Sequence, residues 1–193
     1  MRNSKLSFAL LCLLLVAACG RQPAKFNGTD LTGAEWGRDF SLQDPEGRTR
    51  TLKDFRGKVV TLFFGYLNCP DVCPTTLARA VEVKKKLGAD GARVQVIFVT
   101  VDPERHTASL VGQYTRAFDP DFLGLRGSEE QTRQTAKEFK VFYEKAPTGS
   151  SYTVNHSAMT YVLDTQGRLR LGLRHTQSAD EVAADLRILL NQE

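Results

Sequence analysis

Hydrophobic positions fall into two continuous runs and two shorter alternating pairs. Val59-Val60-Thr61-Leu62-Phe63-Phe64, bounded by Gly57 and Gly65, and Val94-Gln95-Val96-Ile97-Phe98-Val99-Thr100-Val101 are β-branched and aromatic, the pattern of buried central strands. Between them, residues 75–87 place Leu77, Val81, Lys84 and Leu87 on one face of a helix that stops at Gly88, where glycine takes the left-handed cap. Strand, helix and strand form one right-handed βαβ unit. Short apolar stretches at 40–43 and 49–52 flank Asp44-Pro45-Glu46-Gly47, and stretches at 159–163 and 169–173 flank Asp164-Thr165-Gln166-Gly167, so each pair is expected to close as a hairpin. Asp102-Pro103-Glu104 breaks the second central strand, and 109–118 carries a helical pattern. Ser128 with Gln131 and Ser178 with Glu181 are capping boxes; the second opens a closing helix with Val182, Leu186, Leu189 and Leu190 on one side. Residues 144–155 are polar, without periodicity, and are expected to be a long functional loop.

The beginning of the chain follows a different logic. Arg2 and Lys5 precede the apolar run 6–16, and the small residues Ala17-Ala18 lead into Cys19. That run is shorter than the roughly 20 residues a spanning helix needs, so 1–18 is expected to be a secretory signal. Val16-Ala17-Ala18-Cys19-Gly20 resembles the lipobox of bacterial lipoproteins, which implies cleavage before Cys19 and a lipid on its sulfur. Residues 19–37 then form the lipidated N-terminus and a polar tether, with Trp36 near the end of it, and 38–193 form one domain.

Charge excludes one class of function and the cysteine count sharpens another. The formal charge is +4, of which Arg2 and Lys5 supply two, and no dense basic run with interleaved aromatics occurs, so nucleic acid is not an expected partner. Of the four cysteines, Cys12 leaves with the signal and Cys19 is committed to lipid. Cys69 and Cys73 remain as a pair in Cys69-Pro70-Asp71-Val72-Cys73, between the first central strand and its helix, where unpartnered helix N–H groups favour a thiolate. Outside the cytoplasm such a pair oxidises, is kept reduced by a partner, or takes a metal. Two thiolates suit Cu(I), and an added imidazole would also hold Cu(II) or another divalent ion.

The order hairpin, βαβ, further helices, hairpin, helix resembles a thioredoxin-like fold with an N-terminal β-hairpin and an insertion after the second central strand. In that fold the loop entering the strand near 159 comes up beside the cysteines, which singles out His156; His106 and His175 are expected to be solvated. Gly65-Tyr66 before Cys69-Pro70-Asp71-Val72-Cys73-Pro74, then Val101-Asp102-Pro103-Glu104-Arg105, then His156-Ser157 before Tyr161, together resemble the Sco/SenC family of copper chaperones. The resemblance implies copper held by Cys69, Cys73 and His156, and the copper A subunit of cytochrome c oxidase as partner. With the signal and lipobox, the chain is expected to be a membrane-anchored lipoprotein facing the periplasm or another extracytoplasmic space, with other copper chaperones or thiol reductants as further partners. Two positions depart from the family, which commonly has aspartate where this chain has His106 and Asn155. Asp71 and Asp102 are expected as helix caps. The alternative function is a thiol–disulfide reductase, with Cys69 attacking and Cys73 resolving; a peroxidase would need an arginine beside Cys69 that the sequence does not place.

Overall fold

The computed structural model describes residues 24–192, so the signal at 1–18 and the lipidation position Cys19 lie outside the described residues. Among the described residues no helix is long and apolar enough to cross a membrane. The strands are β1 (Thr29–Asp30), β2 (Leu42–Gln43), β3 (Thr49–Arg50), β4 (Val59–Gly65), β5 (Val94–Thr100), β6 (Leu123–Leu125), β7 (Tyr143–Thr148), β8 (Ser151–His156), β9 (Thr160–Leu163) and β10 (Leu169–Leu173). The α-helices are α1 (Val72–Leu87), α2 (Ala108–Arg116), α3 (Glu129–Glu138) and α4 (Ala179–Leu190).

One six-stranded sheet in the order β1-β10-β9-β4-β5-β6 organises the fold. β4 runs parallel to β5, and β5 parallel to β6, whereas β9 lies antiparallel to β4 and β10 to β9. Every residue of β4 is buried, which is why its sequence is a continuous apolar run rather than an alternation. On one face Val59 joins Val83 and Leu87 of α1 and Val182, Leu186 and Leu189 of α4. On the other, Phe64 meets Phe139 at 5.6 Å and Tyr161 at 6.4 Å between ring centroids. Central β4 therefore ends between two packed layers, and whatever follows it is held from both sides.

Both expected capping boxes form: Ser128 Oγ accepts from Gln131 N, and Ser178 Oγ from Glu181 N. The two hairpin turns share one device. Asp44 and Asp164 each accept the backbone N–H two and four residues on and the side-chain Nε of the following arginine, Arg48 or Arg168.

Three expectations change. Helix α1 begins at Val72 rather than 75, because Pro74 sits in the first turn, where its missing N–H has no partner to lose. Residues 144–155, expected as a loop, are most of the β7–β8 hairpin, paired from Tyr143 and His156 to Thr148 and Ser151. This ribbon lies outside the main sheet, so neither face demands apolar alternation, and Pro147 is tolerated on it. Finally, 24–37 is not a free tether. β1 pairs with β10, Asn27 N and Gly28 N donate to the buried Asp185 at 2.8 Å each, and Trp36 packs edge-on against Tyr161 at 5.8 Å.

Candidate metal centre

The chain leaves β4 at Gly65 and turns through 66–69, where Cys69 N donates to Tyr66 O at 3.2 Å. Cys73 follows in the first turn of α1, and its backbone N–H, which has no intrahelical acceptor, donates to Cys69 Sγ at 3.4 Å. Asp71 stands at the N-cap position, but its side chain makes no capping bond; the Cys69 sulfur receives a helix-end N–H instead. Gly65 is required by this approach, since a Cβ there would lie 2.7 Å from Cys73 Sγ and 2.8 Å from Phe98 Cε2.

The third group arrives from the end of β8. His156 Nε2 lies 3.6 Å from Cys73 Sγ, and one ligand atom each from Cys69, Cys73 and His156 all fall within 4.8 Å of one another. The imidazole is set edge-on against Tyr66 at 5.8 Å and Phe63 at 6.0 Å. Its Nδ1–H donates to Ser157 O at 3.0 Å; a carbonyl can only accept, so Nε2 is left bare and faces the thiols. Burial pushes the His156 pKa down, which keeps that lone pair free. Burial also pushes the Cys73 thiol well up, so in the absence of positive charge it holds its proton. A bound cation reverses that preference by stabilising the thiolate. Two sulfurs and one imidazole nitrogen, with no oxygen donor in the set, fit copper or zinc and not calcium or magnesium. Cys69 is partly exposed and Cys73 fully buried, so the centre opens on the Cys69 side.

The other sequence-selected residues resolve differently. His175 is exposed, as expected. His106, expected to be solvated, is 3% exposed and hydrogen-bonded at both ring nitrogens, because the turn after β5 folds inward beneath the cysteine loop. Asp102, expected as a cap, is wholly buried and paired with Arg105 and Tyr152. Asn155 is exposed, and its neighbour His156 is oriented by the Ser157 carbonyl. Tyr66 and Ser157 enter the sequence reading only as motif neighbours and Tyr152 not at all, since ring packing and a backbone carbonyl leave no mark on residue type.

A βαβ-centred sheet that presents two thiols at a helix start and an imidazole from a neighbouring hairpin defines a thiol-based metal- or redox-active protein of thioredoxin-like fold. The family model described as SCO1/SenC matches residues 28–191. The chain belongs to the SCO1/SenC family. It is 39% identical over 153 residues to the mitochondrial SCO2 homologue of Bos taurus, covering 77% of this chain and 58% of that one. It is 33% identical over 135 residues to a SCO2-like protein of Rickettsia felis, covering 68% and 66%. The chain thus spans about three fifths of the length of its mammalian relatives. Among solved structures, apo Sco1 of Thermus thermophilus has a TM-score of 0.78 at 44% identity, covering 86% of this chain and 98% of that one. ScoI of Bradyrhizobium japonicum, solved with copper bound, has a TM-score of 0.74 at 38% identity, covering 80% and 99%.

Proposed function

We propose that this chain is a copper-binding assembly factor that carries copper to, or prepares the thiols of, the copper A site of cytochrome c oxidase. The observation that carries the reading is the convergence of Cys69, Cys73 and a bare His156 Nε2 in a site open on one side. Copper is the cargo. Cys69 and Cys73 supply the sulfur ligands and His156 the nitrogen, and the exposed Cys69 edge lets an acceptor's thiolates displace them one at a time. Apart from the metal–ligand bonds only protons move, each acceptor thiol giving one up as it binds copper and each released cysteine, Cys73 above all, taking one up, so the direction of transfer is set by which protein holds copper more tightly. The copper-bound relatives from Bradyrhizobium japonicum and yeast support the choice of metal.

Anchoring belongs to the same proposal. A lipid on Cys19 would hold the domain at a membrane on its extracytoplasmic side and raise its effective concentration near a membrane-embedded oxidase. Other copper chaperones or thiol reductants would load and reset it.

The test is copper stoichiometry and the optical spectrum of the full chain, fully reduced, for the parent and His156→Ala. One Cu(II) per chain with thiolate-to-copper charge-transfer bands, lost in His156→Ala, is the expected result. A reduced parent that binds no copper yet reduces disulfides rapidly would transfer the assignment to a thiol–disulfide reductase. The feature that favours that second reading is the asymmetry of the pair, one thiol accessible and one buried.

A further inference from the structure

A second cluster of polar groups lies in the turn after β5. His106 Nε2 is 3.1 Å from Asn68 Oδ1, and Nδ1 is 2.9 Å from Thr100 Oγ1. An amide oxygen only accepts, so Nε2 carries the proton. Nδ1 is then bare and accepts a hydrogen bond from the Thr100 hydroxyl, while the same hydroxyl oxygen accepts Asp102 N–H at 3.1 Å. Donors and acceptors alternate along this chain without a conflict, and it ends on Asn68, the residue before Cys69.

The other side of the turn reaches the opposite half of the metal centre. Asp102 Oδ1 accepts the Tyr152 hydroxyl at 2.8 Å, and Oδ2 accepts Arg105 Nε. The Arg105 guanidinium lies 3.8 Å over the Tyr152 ring, and its Nη1 donates to Tyr152 O at 2.9 Å. Lys145 of β7 adds an ion pair to Glu104 at 2.6 Å. Tyr152 is in β8, the strand that ends on His156. The turn 102–106 therefore grips both the cysteine loop and the ribbon that carries the imidazole, whose ligands Cys73 and His156 lie 83 positions apart in the sequence.

We propose that this turn is a brace that sets the separation of Cys69 from His156, with His106 and Tyr152 as its positioning residues; the proposal rests on the copper reading above. The two arms differ in what they steady. The His106–Asn68 arm holds a thiolate that both oxidation states of copper use. The Tyr152–Asp102 arm holds the imidazole, which Cu(II) needs and Cu(I), content with two thiolates, does not.

The test uses the full chain and compares His106→Ala, His106→Gln, Asn68→Ala and Tyr152→Phe. Affinities for Cu(I) and Cu(II) are measured by competition, with the charge-transfer spectrum and Tm recorded for each. His106→Ala weakens both ions by about 10- to 100-fold, the range for losing a group that orients a ligand. His106→Gln, whose amide can still donate to Asn68, restores most of the affinity. Tyr152→Phe weakens Cu(II) by about 10-fold, shifts the charge-transfer band and leaves Cu(I) near the parent value. Should His106→Ala not fold, Asn68→Ala removes the same contact from an exposed position. The same variants are read without metal through the equilibrium constant for closing the Cys69–Cys73 disulfide against glutathione, which falls when the cysteine loop loosens. Parent-like copper binding in both His106→Ala and Asn68→Ala overturns the brace, as does an equal loss of Cu(I) and Cu(II) in Tyr152→Phe. If the parent binds no copper, the copper reading fails by itself, and the disulfide constant decides the brace: lowered in His106→Ala and Asn68→Ala supports it, unchanged overturns it.

Discussion

His156 Nε2 stands 3.6 Å from Cys73 Sγ, although 83 positions separate the two residues in the chain. The contact joins the start of α1 to the end of β8, and it exists because β9, which follows His156, pairs with β4, which precedes Cys73. Shared anchorage on β4 is what turns two sequence motifs into one centre.

The two thiols should differ in reactivity. Cys73 is wholly buried and its thiol is pushed up by that burial, whereas Cys69 is partly exposed and its sulfur accepts a helix-end N–H. With Cys69→Ser and Cys73→Ser each leaving one thiol of the pair, Cys69 where it remains is expected to react with iodoacetamide at least about 10-fold faster than Cys73, since thiolate character and access set the rate. Equal rates by mass spectrometry would contradict the burial of Cys73.

Gly65→Ala should damage stability and metal binding together. The new Cβ would press on the Cys73 sulfur and the Phe98 ring, both fixed by the core. A cost of about 1–3 kcal/mol in urea unfolding is expected from overpacking. Because Cys73 is one of the groups displaced, copper affinity should also fall; a parent-like affinity would show that the sulfur has room to move.

Asp185→Ala should release the N-terminal segment. The carboxylate accepts Asn27 N, Asn27 Nδ2 and Gly28 N, and its removal leaves those donors to water or to nothing. A loss of about 2 kcal/mol is expected for stranding such groups. Hydrogen exchange of residues 27–31 should accelerate selectively, and unchanged protection there would mean that β1 pairing alone holds the segment.

Stability should fall on the acid side of neutrality. Burial depresses the His106 pKa below its ordinary 6.5, with Asp102 opposing and Arg105 adding to the effect. Above about pH 7 the ring is neutral folded and unfolded, and nothing is lost. As pH falls through the ordinary histidine range toward the lower folded pKa, the unfolded chain takes up the proton first, so stability declines. His156, also depressed by burial, acts in the same direction. The urea midpoint should therefore drop between pH 7 and 5, and less steeply in His106→Gln; identical slopes would remove His106 from the account.

The elements legible in the sequence are those whose cause is local. The buried run of β4, the Ser128 and Ser178 capping boxes, and the Asp44 and Asp164 turns depend on residues within a few positions of one another, and each appears where the pattern put it. The cysteine pair was legible for the same reason. His156 stands apart from His106 locally, at the end of a polar stretch just before the apolar run 159–163, but a histidine there can equally cap a strand, so its role as a ligand was legible only through its fold and family setting.

What tertiary structure decided is everything that depends on a partner far along the chain. The β7–β8 ribbon stands off the main sheet, so no buried face printed an alternation into 144–155. The segment 24–37 is polar because it lies on the surface, yet Asp185 and β10 hold it, and its own composition cannot show that. His106 is buried because Thr100 and Asn68 satisfy both nitrogens, a condition met by residues 6 and 38 positions away. Hydrophobic period and turn chemistry are local and survive in one dimension, whereas the satisfaction of a buried polar group is a property of the folded neighbourhood.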